Sequence, residues 1–207
     1  MIAATGSDAT IFPNGQAEID YLSEQWRALR PDIVDEHFYR GPEWFFENAD
    51  YYDAYDPREP KVFVGEYAAI SDYVSSPENR NNLRCALAEA AFMTGMERNA
   101  KVVRMSSYAP LAGHVEAWQW KPNLIWFSNL EVFGTPNYYV QQLFSVHGGD
   151  VIVPVEVARG PARLYAAASR RRDGEVILKV VNATAEAVEA TVALEGVERI
   201  GPAGRAI

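Results

Sequence analysis

Three short stretches of this chain alternate between apolar and polar positions, and each turns polar toward its C-terminal end. In Asp32–Tyr39, the residues Ile33, Asp35, His37 and Tyr39 share one parity, so as a strand they occupy one face. In Lys61–Tyr67, the residues Val62, Val64 and Glu66 share one parity. This predicts two core valines and a carboxylate on a single face. Val102–Tyr108 repeats the order, with valines first and Ser106, Ser107 and Tyr108 last. Parallel strands with polar C-terminal ends are what a (β/α) barrel presents at its catalytic face. An open α/β sheet binds ligands at the same ends, so the pattern alone leaves both architectures open.

The stretches between carry the helical period. Met1–Gly6 reads as the tail of a strand. Ile19, Leu22, Trp26 and Leu29 are spaced as one helix face within Gln16–Leu29, which Pro31 closes. Gly41-Pro42 opens a short helix with Trp44, Phe45, Ala49 and Tyr52 on its apolar side. Ser76-Pro77-Glu78 predicts the start of another, running to about Met96 with Gly95 as its cap. Residues 1–108 therefore read β-α-β-α-β-α-β, the order that gives parallel strands with helical crossovers.

Residues 109–134 read as a long irregular loop rich in Trp, Pro and Asn, and Thr135-Pro136 opens a helix to about Val146. From Asp150 the chain becomes Val- and Ala-rich. Four strands are expected, over 151–155, 164–169, 175–182 and 189–194, with Asp173-Gly174 as a hairpin turn. The reading is an α/β portion over 1–149 followed by a small antiparallel β segment over 150–207, part of a sandwich. The segment has too little core to stand alone and must dock on the first portion or be completed by further chain. A chain that opens on the tail of a core strand is expected to be a piece of something longer.

Composition narrows the chemistry. A net charge of −9 and a pI near 4.9 argue against a nucleic-acid partner. No apolar stretch is long enough to span a bilayer. Cys85 is the single cysteine, set among Leu83, Ala86, Leu87 and Ala90, and reads as a buried structural thiol. No His, Asp or Glu pair has metal-ligand spacing, His114 and His147 included, so neither metal nor cofactor is expected. The N-terminus lacks a basic region followed by an apolar run. That fits a cytoplasmic protein if Met1 is the true start and leaves secretion open if the chain is truncated. Five Trp and eleven Tyr could form sugar platforms or core. Glu66, after a glycine at a strand end, is a solvated terminus or the mouth of a site. His37 reads equally as a core histidine or a site residue. Asp35 reads as a hydrogen-bonding residue within its strand.

Taken together, several runs resemble the C-terminal half of the α-L-arabinofuranosidases of glycoside hydrolase family 51. They are Asp35-Glu36-His37-Phe38-Tyr39, Val64-Gly65-Glu66-Tyr67-Ala68, Ala88–Gly95 with Glu97-Arg98-Asn99, Ser107–Leu111 and Gly134–Gln141. The resemblance covers residues 1–150, and 151–207 by layout. It implies the second half of a (β/α)₈ barrel, strands five to eight, followed by a β-sandwich segment. It assigns Glu66 as the nucleophile of a retaining glycosidase and His37 and Tyr39 as sugar-subsite residues. Trp118, Trp120 and Asn123 fall in the loop that helps close the site.

The family's acid/base is a Glu in an Asn-Glu pair, and no Asn-Glu pair occurs in this chain. The resemblance thus implies a fragment holding the nucleophile and lacking the acid/base half, with arabinan- or arabinoxylan-type hemicellulose as substrate. The alternatives are a non-catalytic carbohydrate-binding remnant, or one chain of a split enzyme. A half-barrel exposing Val62 and Val64 on its inner face is expected to self-associate or pair with its missing half. Alone it is expected to be inactive or nearly so.

Overall fold

The computed structural model describes residues 31–158, 160, 162–196, 201 and 204–207. The expected strand tail at Met1–Gly6 and the helix over Gln16–Leu29 lie outside these residues. Strands β1 (Ile33–Arg40), β2 (Lys61–Ala69) and β3 (Val103–Tyr108) form a parallel sheet in the order β1-β2-β3. Helix α1 (Pro42–Glu47) and a 3-10 turn (Tyr51–Ala54) connect β1 to β2, and α2 (Leu83–Arg98) connects β2 to β3. Pro42 opens α1, where its missing N–H is not needed.

Helix α2 organises the packing. Eleven of its sixteen residues are buried, as befits a helix covered on several sides rather than one. Its alanines allow that close approach. Phe92 at its centre meets Phe38, Trp44, Phe45 and Tyr52, with ring centroids 5.4–5.8 Å apart. Two expectations for this helix are corrected. It starts after Asn82, whose Oδ1 accepts the Cys85 N–H at 2.9 Å. Ser76 instead closes a turn, donating to Asp72 at 2.7 Å and accepting from the Glu78 N–H at 3.1 Å. Nor is Gly95 a cap. It lies inside the helix, where a Cβ would fall 3.0 Å from the Ala49 carbonyl carbon and closer still to its oxygen.

The expected shared face of Val62, Val64 and Glu66 is also corrected. β1 and β2 pair Glu36 with Val64 and then His37 with Glu66, which leaves Gly65 as an extra residue. One inserted residue reverses the facing of everything beyond it. Val62 and Val64 are 1% and 0% exposed in the core with Phe92, and so are not displayed on an inner face. Glu66 points the other way, toward Tyr39 and His37.

The loop over 109–134 is more ordered than its composition suggests. β4 (Ala112–His114) pairs in parallel with β5 (Ile125–Phe127), and β5 pairs antiparallel with β6 (Val132–Gly134). Helix α3 (Pro136–Val146) follows, with the Thr135 hydroxyl accepting the Tyr138 N–H. Then β7 (Val151–Val153), β8 (Leu164–Arg170) and β9 (Val176–Asn182) form an antiparallel sheet. Gly174, at φ +93°, supplies the turn conformation between β8 and β9. Residues 189–194 form no strand, and Val192 and Leu194 stay exposed.

This sheet is fastened to the helices rather than left free. Tyr165 stacks on Phe46 and donates to its carbonyl at 3.0 Å. Lys179 pairs with Glu97 of α2, the two side chains 10% and 16% exposed, and the Ser169 hydroxyl donates to the other Glu97 oxygen at 3.1 Å. Arg163 pairs with Glu43 of α1. Among the described residues no helix is long and apolar enough to cross a membrane.

Candidate active site

On the face of the parallel sheet away from α2, β1 and β2 bring Asp35, His37, Tyr39 and Glu66 together. Alternation along β1 puts its three side chains on that face, and the Gly65 bulge turns Glu66 to join them. The Tyr39 hydroxyl donates to Glu66 Oε2 at 2.8 Å. His37 lies between two carboxylates, Nε2 at 3.0 Å from Asp35 Oδ2 and Nδ1 at 3.4 Å from Glu66 Oε2. The His37 Nδ1 makes no hydrogen bond. Glu66 is 40% exposed, so its carboxylate is open to a ligand while one oxygen is held.

Asp35 braces the bulge. Its Oδ1 accepts the Gly65 N–H at 3.1 Å, and its Oδ2 takes His37. The Ser107 hydroxyl of β3 donates to the Gly65 carbonyl from the opposite side. A Cβ on Gly65 would lie 2.9 Å from Asp35 Cγ and closer to Oδ1, so a larger residue fits only if the Asp35 side chain gives up its position.

Two terms keep Tyr39 protonated as the donor. Burial raises its pKa above the usual phenol range, and the adjoining Glu66 carboxylate raises it further. Glu36, next to Asp35 in sequence, faces the helices. Its oxygens accept from Tyr52 and Tyr55, each at 2.9 Å. Desolvation raises its pKa, against the lowering effect of those two hydrogen bonds.

The aromatic loop contributes differently. Asn123 is buried, its amide donating to the Trp120 carbonyl and pressed against Gly113. Lys121 sits 4.3 Å above the Trp118 ring, and Trp120 is exposed. None of these three residues has a hydrogen bond to Glu66, His37 or Tyr39 in the described structure. Cys85 is fully buried, and desolvation pushes its thiol up to about 11, so it is no nucleophile at neutral pH. Among the described residues no group of three His, Cys, Asp or Glu could hold a metal ion.

Comparison with known proteins bears directly on this constellation. The family model described as "Alpha-L-arabinofuranosidase C-terminal domain" matches residues 65–206. The chain belongs to the α-L-arabinofuranosidases of glycoside hydrolase family 51. Glu66 lies at the first edge of the matched stretch, and His37 and Tyr39 lie outside it. The chain is 45% identical over 135 residues to an extracellular exo-α-L-arabinofuranosidase of Streptomyces chartreusis, covering 65% of this chain and 15% of that one. It is 31% identical over 170 residues to α-L-arabinofuranosidase 1 of Arabidopsis thaliana, covering 81% of this chain and 24% of that one. An arabinose-bound family-51 α-L-arabinofuranosidase superposes with a TM-score of 0.68 at 34% identity, over 74% of this chain and 26% of that one. The chain thus spans a quarter or less of the curated relatives it matches.

Two features in and around this cluster were not read from the sequence. One is the Asp35–Gly65 brace, for which a lone glycine inside a strand pattern was the available signal. The other is Glu89, a fully buried carboxyl on α2. Its signal was a single charge within an alanine-rich helical run.

Proposed function

We propose that this chain carries the nucleophile side of a retaining α-L-arabinofuranosidase site, with Glu66 as nucleophile. One observation carries the reading. A half-exposed carboxylate stands near the C-terminal end of the central parallel strand, held at one oxygen by the Tyr39 hydroxyl at 2.8 Å and flanked by His37. In the first step a Glu66 oxygen attacks the anomeric carbon of a terminal arabinofuranosyl unit. The bond to the aglycone oxygen breaks, leaving a glycosyl ester on Glu66. Water then attacks the anomeric carbon from the face the aglycone left and releases the Glu66 carboxylate, so the two inversions give net retention. The Tyr39 hydrogen bond favours the carboxylate that attacks and the carboxylate that leaves.

A retaining mechanism needs a second carboxyl about 5 Å away to protonate the leaving oxygen and then activate water. Asp35 is occupied by the Gly65 N–H and His37, and Glu36 faces the helices. The acid/base in this reading therefore comes from outside the described residues, on a segment completing the (β/α)₈ barrel of which β1, β2 and β3 are a part. The barrel portion ends near residue 149 and the sandwich segment begins at 150. The substrates are arabinan- or arabinoxylan-type chains with terminal α-L-arabinofuranosyl groups, and exposed Trp120 is a platform for the chain beyond the cleaved sugar.

Azide rescue tests the assignment. Glu66→Ala is incubated with 2,4-dinitrophenyl α-L-arabinofuranoside, whose leaving group needs no acid. Azide enters the space left by the carboxylate and displaces dinitrophenolate. A β-L-arabinofuranosyl azide is expected. An azide product of retained configuration, or no acceleration by azide, would count against the nucleophile role.

A further inference from the structure

Glu89 is a fully buried carboxyl that this mechanism does not use. It is 0% exposed, and burial pushes its carboxyl up to about 8. Its Oε1 accepts the Ala69 N–H at 2.8 Å, three residues beyond Glu66 on β2. The Asn137 and Gln141 side chains of α3 act on the same carboxyl and favour its charged form, although Glu89 Oε2, Asn137 Nδ2 and Gln141 Nε2 are buried without a full hydrogen bond. Gln141 Oε1 in turn accepts the hydroxyl of Tyr67, the residue after Glu66, at 2.7 Å. Asn137 Oδ1 accepts from Asn81 at 3.2 Å, and the same Asn81 amide donates to the Tyr108 hydroxyl at the end of β3 at 3.0 Å. One buried carboxyl thus touches the strand beyond Glu66 directly and the neighbour of Glu66 through one amide. It also reaches β3 through two.

We propose that Glu89 is a positioning residue for Glu66, holding the C-terminal end of β2 in register from the helix side of the sheet. The inference rests on Glu66 being the nucleophile only for its kinetic consequence. The geometry argues for it independently. Beyond the Gly65 bulge, the β2–β3 ladder pairs only Tyr67 with Tyr108. The end of β2 therefore has few sheet contacts on that side to fix it. A buried acceptor that took no part in fixing the strand would be expected to be replaced by an apolar side chain at little loss, because burying an imperfectly paired carboxyl is unfavourable. Here one oxygen accepts the Ala69 N–H of β2, and the carboxyl is also stabilised by the Asn137 and Gln141 side chains of α3.

The test uses the 207-residue chain, with Glu89→Met, Glu89→Gln and, as a gentler cut, Gln141→Leu. Gln keeps an acceptor for Ala69 but sets an NH₂ against the Asn137 and Gln141 amide nitrogens, while Met keeps only the volume. Hydrogen–deuterium exchange is read on peptides covering 65–70 and, as a reference, 176–182 of β9. Tenfold or faster exchange over 65–70 is expected in Glu89→Met, with 176–182 unchanged and a smaller increase in Glu89→Gln, which keeps the Ala69 contact. Gln141→Leu should give a smaller increase at the same place. Unchanged exchange over 65–70 in folded Glu89→Met or Gln141→Leu would overturn the proposal, as would an equal rise in both peptides. Single-turnover release of dinitrophenolate from the aryl arabinofuranoside supplies the second readout. Glu89→Met should slow it at least tenfold at unchanged half-saturating concentration, and Glu89→Gln should restore part of the rate. If wild type releases nothing while exchange behaves as expected, the nucleophile assignment fails and the positioning role stands.

Discussion

Replacing Gly65 with alanine should disturb this site through one neighbour. The new methyl would lie 2.9 Å from Asp35 Cγ and 3.0 Å from Oδ2, and closer to Oδ1. The Asp35 side chain is 44% exposed and can swing out, but it then gives up the Gly65 N–H and His37. Losing a hydrogen bond to a charged acceptor costs about 1.5–3 kcal/mol, and renewed solvation of a half-exposed carboxylate puts this case at the low end. Restricting the unfolded chain returns about 0.4–1 kcal/mol. The net destabilisation of Gly65→Ala is therefore about 0.5–1 kcal/mol. In an Asp35→Ala background the clash is absent, so the same change should be neutral or stabilising by about 0.4–1 kcal/mol. The coupling between the two sites is then about 1–2 kcal/mol. Urea unfolding of wild type, both single variants and the double variant measures it. A 1 Å shift of Glu66 is worth about 10²-fold in rate, so single-turnover dinitrophenolate release should fall far more than stability does in Gly65→Ala. Additive stabilities across the four proteins would refute the brace.

Tyr39→Phe removes the hydroxyl that donates to Glu66, and single-turnover arabinosylation should slow by about 10- to 100-fold, the equivalent of a hydrogen bond to a charged group, with the unfolding midpoint little changed. Lys179→Met strands Glu97 against Ser169 in a nearly buried site; a loss of about 3–5 kcal/mol is expected in urea unfolding, and a surface-like loss under 1 kcal/mol would contradict the docking described for the antiparallel sheet. Glu89 has its folded pKa raised from 4.5 to about 8 by burial, so the stability it supports is full below pH 4.5 and is lost as pH rises through about 8. The wild-type advantage over Glu89→Gln should shrink across that window and level off above it, the comparison cancelling the same-signed contribution of Glu36. The chain alone should turn over an arabinan oligosaccharide about 10² to 10⁴-fold more slowly than an enzyme with its acid/base in place; ordinary rates from a monodisperse monomer would mean that a described carboxyl does that work.

Much of this fold follows from local pattern. β1, β2 and β3 were expected within two residues of where they lie, because each is a run of β-branched and aromatic residues bounded by turn-formers. The same alternation placed Asp35, His37 and Tyr39 on one face. Glu66 illustrates the limit of that logic. Its approach to Tyr39 depends on a register slip opposite Glu36 and His37, and register is a property of two strands rather than of one sequence. β4, β5 and β6 are three residues each, too short for a period to emerge. Ser76 reads as a helix cap, but a turn held by Asp72 and Asn79 takes it, and Asn82 caps the helix instead. Residues 189–194 have strand composition and no partner strand among the described residues. Glu89 was legible only as an anomaly, a charge among alanines whose partners lie about fifty residues further on.

The most direct test of the account is the position of the covalent bond. The chain is quenched in acid moments after mixing with 2,4-dinitrophenyl α-L-arabinofuranoside, digested, and mapped by mass spectrometry. The account predicts a single pentosyl ester on the peptide containing Glu66, localised to that side chain and absent from Glu66→Gln. An ester on Asp35 or any other carboxylate, or an adduct that survives in Glu66→Gln, would contradict it.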